Sequence, residues 1–262
     1  MPTRKVVATA MPASAVYLVG IPVVLFFTSL NTMAGLGTAF ILVPIFYWLG
    51  VPLREAAPVA LLLNFLSLAL ASVIYAHGRL IDFRTAVPIG VAAVALSPLG
   101  ARATVILDQR VLLWLFSGFL VFAGWMMLFY RPTSRATSRD PAALAAGAGL
   151  GGLAGFVGGL LGVGGGNIVL PFLNWLGLDA KVASGTTAFI VVFSSLAGFL
   201  GHASLGGLDY TFLGVMTLTA VAGALLGAYL MRFKLTPPQL KTAMGVVLFL
   251  AAAKIIQGLL TH

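Results

Sequence analysis

The sequence repeats itself. GLGTAFILVPIFYWLG begins at Gly35, and GVGGGNIVLPFLNWLG begins at Gly162, 127 positions later (35 to 162). The register continues without a gap through Pro44 and Pro171, Trp48 and Trp175, Gly50 and Gly177, and Ala56 and Ala183. It runs on through Ser67 and Ser194, Asp82 and Asp209, Gly100 and Gly227, and Gly118 and Gly245. One register held over that distance is an internal duplication, and such repeats build many transporter folds. Whatever this chain folds into must set two copies of one unit against each other.

Composition says in which solvent. The chain is 60% hydrophobic and 8% charged, where an ordinary soluble domain carries about 25% charged residues. That makes it a polytopic membrane protein. With no cysteine, disulfides, thiolate metal sites and cysteine nucleophiles are excluded. All six acids, Glu55, Asp82, Asp108, Asp140, Asp179 and Asp209, fall in loops or at span ends. A carboxylate at membrane depth is the usual mark of a cation site or proton relay; none is expected here. No Ser-His-Asp, HExxH or GxxxxGK[ST] arrangement occurs, so no enzyme, cofactor or metal site is expected. The net charge of +9 reads as loops facing anionic lipid or as a field attracting an anionic solute, not as a nucleic-acid surface.

The duplication divides the chain into a membrane repeat over 1–130, a linker over 131–141 and a second membrane repeat over 142–262. Each repeat opens on a long apolar stretch interrupted by glycines, 13–50 and 142–177. Three segments of spanning length follow, about 55–77, 84–105 and 110–130, then about 182–204, 210–231 and 238–260. As one helix, 142–177 would be about 54 Å long, too long for one crossing and too short for two. A full helix followed by a re-entrant half-helix fits. Each repeat then crosses a net odd number of times, so the expected fold is all-α, with two inverted repeats. Arg131, Arg135 and Arg139 place the linker in the cytoplasm, which puts both termini in the periplasm of a bacterial inner membrane. Arg4 and Lys5 before an apolar run resemble a secretory signal, but that run has a counterpart in the second copy and is kept as structure.

The glycines fall into two groups. Gly147, Gly151, Gly155 and Gly159 recur every four residues, a ridge that lets a neighbouring helix approach closely; Gly223 and Gly227 make a shorter one. Gly162, Gly164, Gly165 and Gly166, followed by Asn167 and Pro171, exceed what a ridge needs. An unwound helix there frees backbone N–H groups at the positive end of a half-helix, an anion site. The competing reading is a purely structural hairpin. Copy one keeps Gly35 and Gly37 but has Thr38 and Ala39 in place of the paired glycines, with Asn31 ahead of the break. A Cβ at Gly165 or Gly166 is expected to block a ligand without unfolding the chain. The other polar groups at depth are neutral donors: Asn64 and Ser67 on one helix, Thr186, Thr187, Ser194 and Ser195 on its counterpart. His77, His202 and Arg102 lie toward span ends and are candidates for contact with an anion or a coupled proton; interfacial placement is the alternative for each.

The paired G-x-G motif, the full GVGGGNIVLP run, Ala183-Ser184-Gly185-Thr186-Thr187, His77-Gly78 before Asp82, and Gly100-Ala101 with Gly227-Ala228 resemble the sulfite exporter TauE/SafE family of membrane permeases. The resemblance covers about 15–260. It implies transport of a sulfur-containing anion, such as sulfite, thiosulfate or a sulfonate like sulfoacetate. Copy one departs from the family pattern by lacking the triple glycine. The expected function is a secondary transporter, an exporter, working by alternating access. An anion channel and a non-transporting membrane assembly factor remain the alternatives. The expected partners are a small anion, membrane lipid and, as an open question, a second copy of the chain.

Overall fold

The computed structural model describes residues 13–34, 37–129, 141–206, 208–230 and 237–260. They form ten helices: α1 (Ala13–Ala34), α2 (Ala39–Trp48), α3 (Leu53–His77), α4 (Phe83–Ile106), α5 (Gln109–Phe129), α6 (Pro141–Leu161), α7 (Gly166–Trp175), α8 (Ala180–Ala203), α9 (Tyr210–Leu230) and α10 (Pro237–Leu260). Six of them, α3, α4, α5, α6, α8 and α9, are long and apolar enough to cross a membrane. The two breaks fall at the glycine clusters, and each is followed by a half-helix of 10 residues. Linker residues 131–140 and Gly35 lie outside the described residues.

Matched residues end matched elements. Gly50 and Gly177 sit at φ +88° and +91°, just past α2 and α7. That conformation suits glycine and turns the next N–H back onto the helix: Val51 N–H donates to Phe46 O, and Leu178 N–H to Leu173 O. Both links are Schellman bonds that satisfy terminal carbonyls. The paired aspartates start helices. The Asp82 carboxylate accepts from Arg84 N–H and Thr85 Oγ1 ahead of α4. The Asp209 carboxylate accepts from Thr211 N–H and Phe212 N–H ahead of α9.

Helix contacts cross between the repeats. Under the 127-residue offset α1 corresponds to α6, α3 to α8, α4 to α9 and α5 to α10. Helix α4 packs on α6, and its counterpart α9 packs on α1; α4 also meets α8, as α9 meets α3. The glycine ridge makes the first of these contacts close. A Cβ on Gly151, Gly155 or Gly159 would run into the backbone carbonyls of Ile89, Ala93 and Ser97. Gly223 and Gly227 meet Leu25 O and Ser29 O of α1 in the same way. Two equivalent pairs run antiparallel. Along α3 and α8, Leu61 faces Gly198, Asn64 bonds Ser195, and Tyr75 faces Gly185. Along α5 and α10, Gly124 faces Phe249 and Leu128 faces Gly245.

The half-helices differ in burial. Every residue of α2 from Ala39 to Phe46 is buried, with Phe46 edge-on to Phe212 of α9 at 5.3 Å. A helix that is apolar all round belongs in a core. In α7 only Val169, Leu173 and Asn174 are buried, and Trp175 is exposed.

Candidate functional site

The two breaks meet at one side chain. Asn64, fully buried in the middle of α3, turns its Oδ1 to the start of α2, where it accepts from Thr38 N–H at 2.7 Å and Ala39 N–H at 3.3 Å. Its Nδ2 donates to Ser195 Oγ of α8 at 2.8 Å. The first N–H groups of a helix have no partner within it, and a buried donor left unpaired costs about 1–3 kcal/mol. Asn64 removes that cost for α2. The fit leaves no room for a side chain at either break: a Cβ on Gly37 would lie 2.6 Å from Asn64 Oδ1, and one on Gly164 would lie 2.5 Å from Nδ2.

The start of α7 is arranged otherwise. Gly162, Gly164 and Gly165 all have positive φ, +74°, +77° and +72°, and these reverse the chain into α7. Gly165 caps that helix and its carbonyl accepts from Ile168 N–H and Val169 N–H. The N–H groups of Gly165, Gly166 and Asn167 find no acceptor among the described residues. The residue in the place of Asn64 is Val191. It lies against this break as Asn64 lies against the other, its methyls 3.2 Å from a Cβ built on Gly164 and 3.4 Å from one on Gly166, and it cannot accept a hydrogen bond.

A cavity of about 20 Å³ opens here, lined by Gly166, Asn167, Leu170, Ser184, Thr187 and Val191, with Gly37, Phe40, Leu68, Val163 and Ala188. That is room for about one water molecule. Thr187 is 8% exposed, and its hydroxyl has no partner among the described residues. No acidic or basic side chain lines the space. Uncapped N–H groups at the positive end of a helix, beside a spare buried hydroxyl, form a donor-rich pocket suited to an oxyanion. In this conformation it is closed down to water size.

The structure brings Gly37, Thr38, Asn64, Gly164, Gly165, Gly166, Asn167 and Thr187 together around the two breaks. It sends the other candidates elsewhere. Ser67 Oγ donates to Leu63 O within its own helix, and Ser194 Oγ to Val191 O, the usual fate of hydroxyls in membrane helices. Thr186 Oγ1 accepts from Asp82 N–H, tying α8 to the α3–α4 connection. His77 is exposed and bonds Val73 O of its own helix. His202 is buried with Nε2 2.8 Å from Gly159 O, where it satisfies a terminal carbonyl of α6. Arg102 is exposed on α4. Asn31 is buried on α1, with neither side-chain atom bonded among the described residues. Thr38 Oγ1 is likewise unpaired among them. The residue that sequence reasoning missed is Val191. The repeat register pointed to it, since 64 maps onto 191, but an apolar residue in an apolar span drew no attention.

A multi-pass helical protein whose duplicated, broken helices meet in its core has the architecture of a membrane transporter. The sequence matches the sulfite exporter TauE/SafE family over residues 20–255, and the chain belongs to that family of membrane transporters. It is 34% identical over 103 residues to the probable membrane transporter protein YunE of Bacillus subtilis (strain 168), covering 39% of this chain and 37% of that protein. It is 38% identical over 68 residues to sulfite exporter TauE/SafE family protein 6 of Arabidopsis thaliana, 26% of this chain and 14% of that one. The matches thus span well under half of either relative. No solved structure matches the chain.

Proposed function

We propose that this chain exports a sulfur-containing oxyanion, sulfite or a sulfonate such as sulfoacetate, across a bacterial inner membrane as a secondary transporter. The observation that carries the reading is the uncapped N-terminus of α7, which opens on a buried cavity free of acids with the Thr187 hydroxyl beside it. An oxyanion supplies what those donors lack, and no carboxylate competes for them. The family supports the sulfur chemistry. Antiparallel packing of α3 on α8 and of α5 on α10 supports inverted repeats, and the basic residues of the linker support placing both termini in the periplasm.

Alternating access is the mechanism, with a constraint from packing. Helix α6 is locked to α4 and α1 to α9 by backbone-to-backbone contacts at glycines, so each of these pairs travels as a unit. Motion then falls on the half-helices and on the seam between α3 and α8. The water-sized cavity is an occluded form, and α7, less buried than α2, is the element that moves to admit an anion.

The test is counterflow in proteoliposomes loaded with unlabelled sulfite or sulfoacetate. A carrier accumulates labelled substrate transiently against its gradient. Conductive flux without counterflow would make the protein a channel. No flux, and no thermal shift with any of these anions, would refute transport of this class.

A further inference from the structure

The two breaks are equivalent by descent, yet one is already filled. Three pairs of positions map between them: Gly37 onto Gly164, Thr38 onto Gly165 and Ala39 onto Gly166. In copy one, the second and third of these positions donate their N–H groups to Asn64 Oδ1. In copy two, the same two N–H groups have no acceptor among the described residues; Val191 stands against Gly164 and Gly166, and Gly166 and Asn167 line the cavity. The second sign of a ligand is independent of the backbone: Thr187, more than nine-tenths buried, lines the same cavity, and its hydroxyl has no partner among the described residues.

We infer that the chain holds one anion, not two. An oxyanion oxygen takes at α7 the place that the Asn64 carboxamide oxygen takes at α2. Asn64 is thus a built-in substitute for substrate, and the identity of the residue at positions 64 and 191 decides which half-helix binds. This rests on the anion-transport reading and deepens it by assigning the site and its stoichiometry. The inference also makes Asn64 a positioning residue. It holds α2 shut and, through Ser195, sets α3 against α8 beside the α7 break.

The experiment exchanges the two residues. Equilibrium binding of sulfite to purified protein, without oxygen, should give one equivalent for the wild type. Val191→Asn should cap α7 from within. It should lose sulfite affinity at least 100-fold, while its thermal stability without sulfite equals or exceeds the wild type's. Asn64→Val should leave α2 uncapped, lower stability without sulfite, and raise the stoichiometry toward two. Should Val191→Asn fail to fold, Val191→Thr, a near-isostere whose hydroxyl can accept from those N–H groups, should still weaken sulfite at least tenfold. Two equivalents bound to the wild type would overturn the inference. So would undiminished affinity in a folded position-191 variant. Both outcomes leave anion transport standing. Failure of the wild type to bind any sulfur oxyanion would refute the transport reading itself.

Discussion

A single methyl group distinguishes the structural glycines from the cavity-facing one. Gly165 and Gly166 are neighbours, and the sequence alone assigns them the same role. The structure separates them. Gly165 has φ +72°, and a Cβ there would run into Ala154 O of α6, with Ala154 C at 2.9 Å. A left-handed conformation costs an L-residue about 1–2 kcal/mol, and overpacking typically costs a further 1–3 kcal/mol. Gly165→Ala should therefore lose about 2–5 kcal/mol, a large share of the roughly 5–15 kcal/mol by which proteins are stable. At Gly166 the added Cβ lies 3.4 Å from Val191 and 3.6 Å from Thr187, ordinary contact distances. It points into a cavity of about 20 Å³ and brings up to about 1 kcal/mol of helix propensity. Gly166→Ala should fold at least as stably as the wild type and have no space for an anion. The assay is thermal unfolding with and without sulfite or sulfoacetate. Ligand at 100 times its Kd adds about 2.7 kcal/mol, a rise of about 5–10 °C on the scale of proteins this size. That rise should appear in the wild type and in Thr38→Ala and vanish in Gly166→Ala. A Gly166→Ala protein with the full rise, or a Gly165→Ala protein as stable as the wild type, would refute the reasoning.

Three other outcomes are expected. Sulfoacetate or sulfite should bind at least about tenfold more tightly than taurine, a gap of about 1.4 kcal/mol, because no acid lines the cavity to receive an ammonium; competition at fixed ionic strength in which taurine wins would contradict this. Asn64→Asp keeps an acceptor for Thr38 and Ala39 but sets a negative charge beside the α7 break, so it should weaken anion binding about tenfold or more by like-charge repulsion; unchanged affinity in a direct titration would count against it. A reporter active only in the cytoplasm, fused after His262, should be silent, and a strong signal there would contradict inverted repeats with periplasmic termini.

Much of the architecture was legible because membrane solvent leaves few options. The glycine clusters marked both breaks, and the apolar lengths placed α3, α4 and α5 within about two residues of their observed ends. The ridge reading of Gly151, Gly155 and Gly159 holds, because a four-residue spacing fixes a helix face before any partner is known. The site was less legible. Asn64 reads in sequence as a substrate ligand, since an amide at depth needs partners. The structure supplies those partners from α2 and α8. Which hydroxyls turn back on their own helix, as Ser67 and Ser194 do, depends on side-chain rotation that spacing does not encode. The contrast between Asn64 and Val191 was present in the repeat register, but its meaning needed the three-dimensional contact of each residue with its own break.

The crossing of α4 onto α6 and of α9 onto α1 bears on how the molecule comes into being. A ribosome delivers α1 long before α9, and α4 before α6. Helix α1 therefore waits in lipid, its backbone face uncovered, until the second repeat arrives, whereas α6 meets α4 as soon as it inserts. The contacts of α1 with α9 and of α5 with α10 join segments far apart in the chain and can close only when the second repeat is nearly complete. A single-copy ancestor would have met the same demand. It could cover its own first helix in this way only with the fourth helix of another molecule. Within one chain position 64 holds Asn and position 191 holds Val, a distinction that a symmetric pair of identical chains cannot hold.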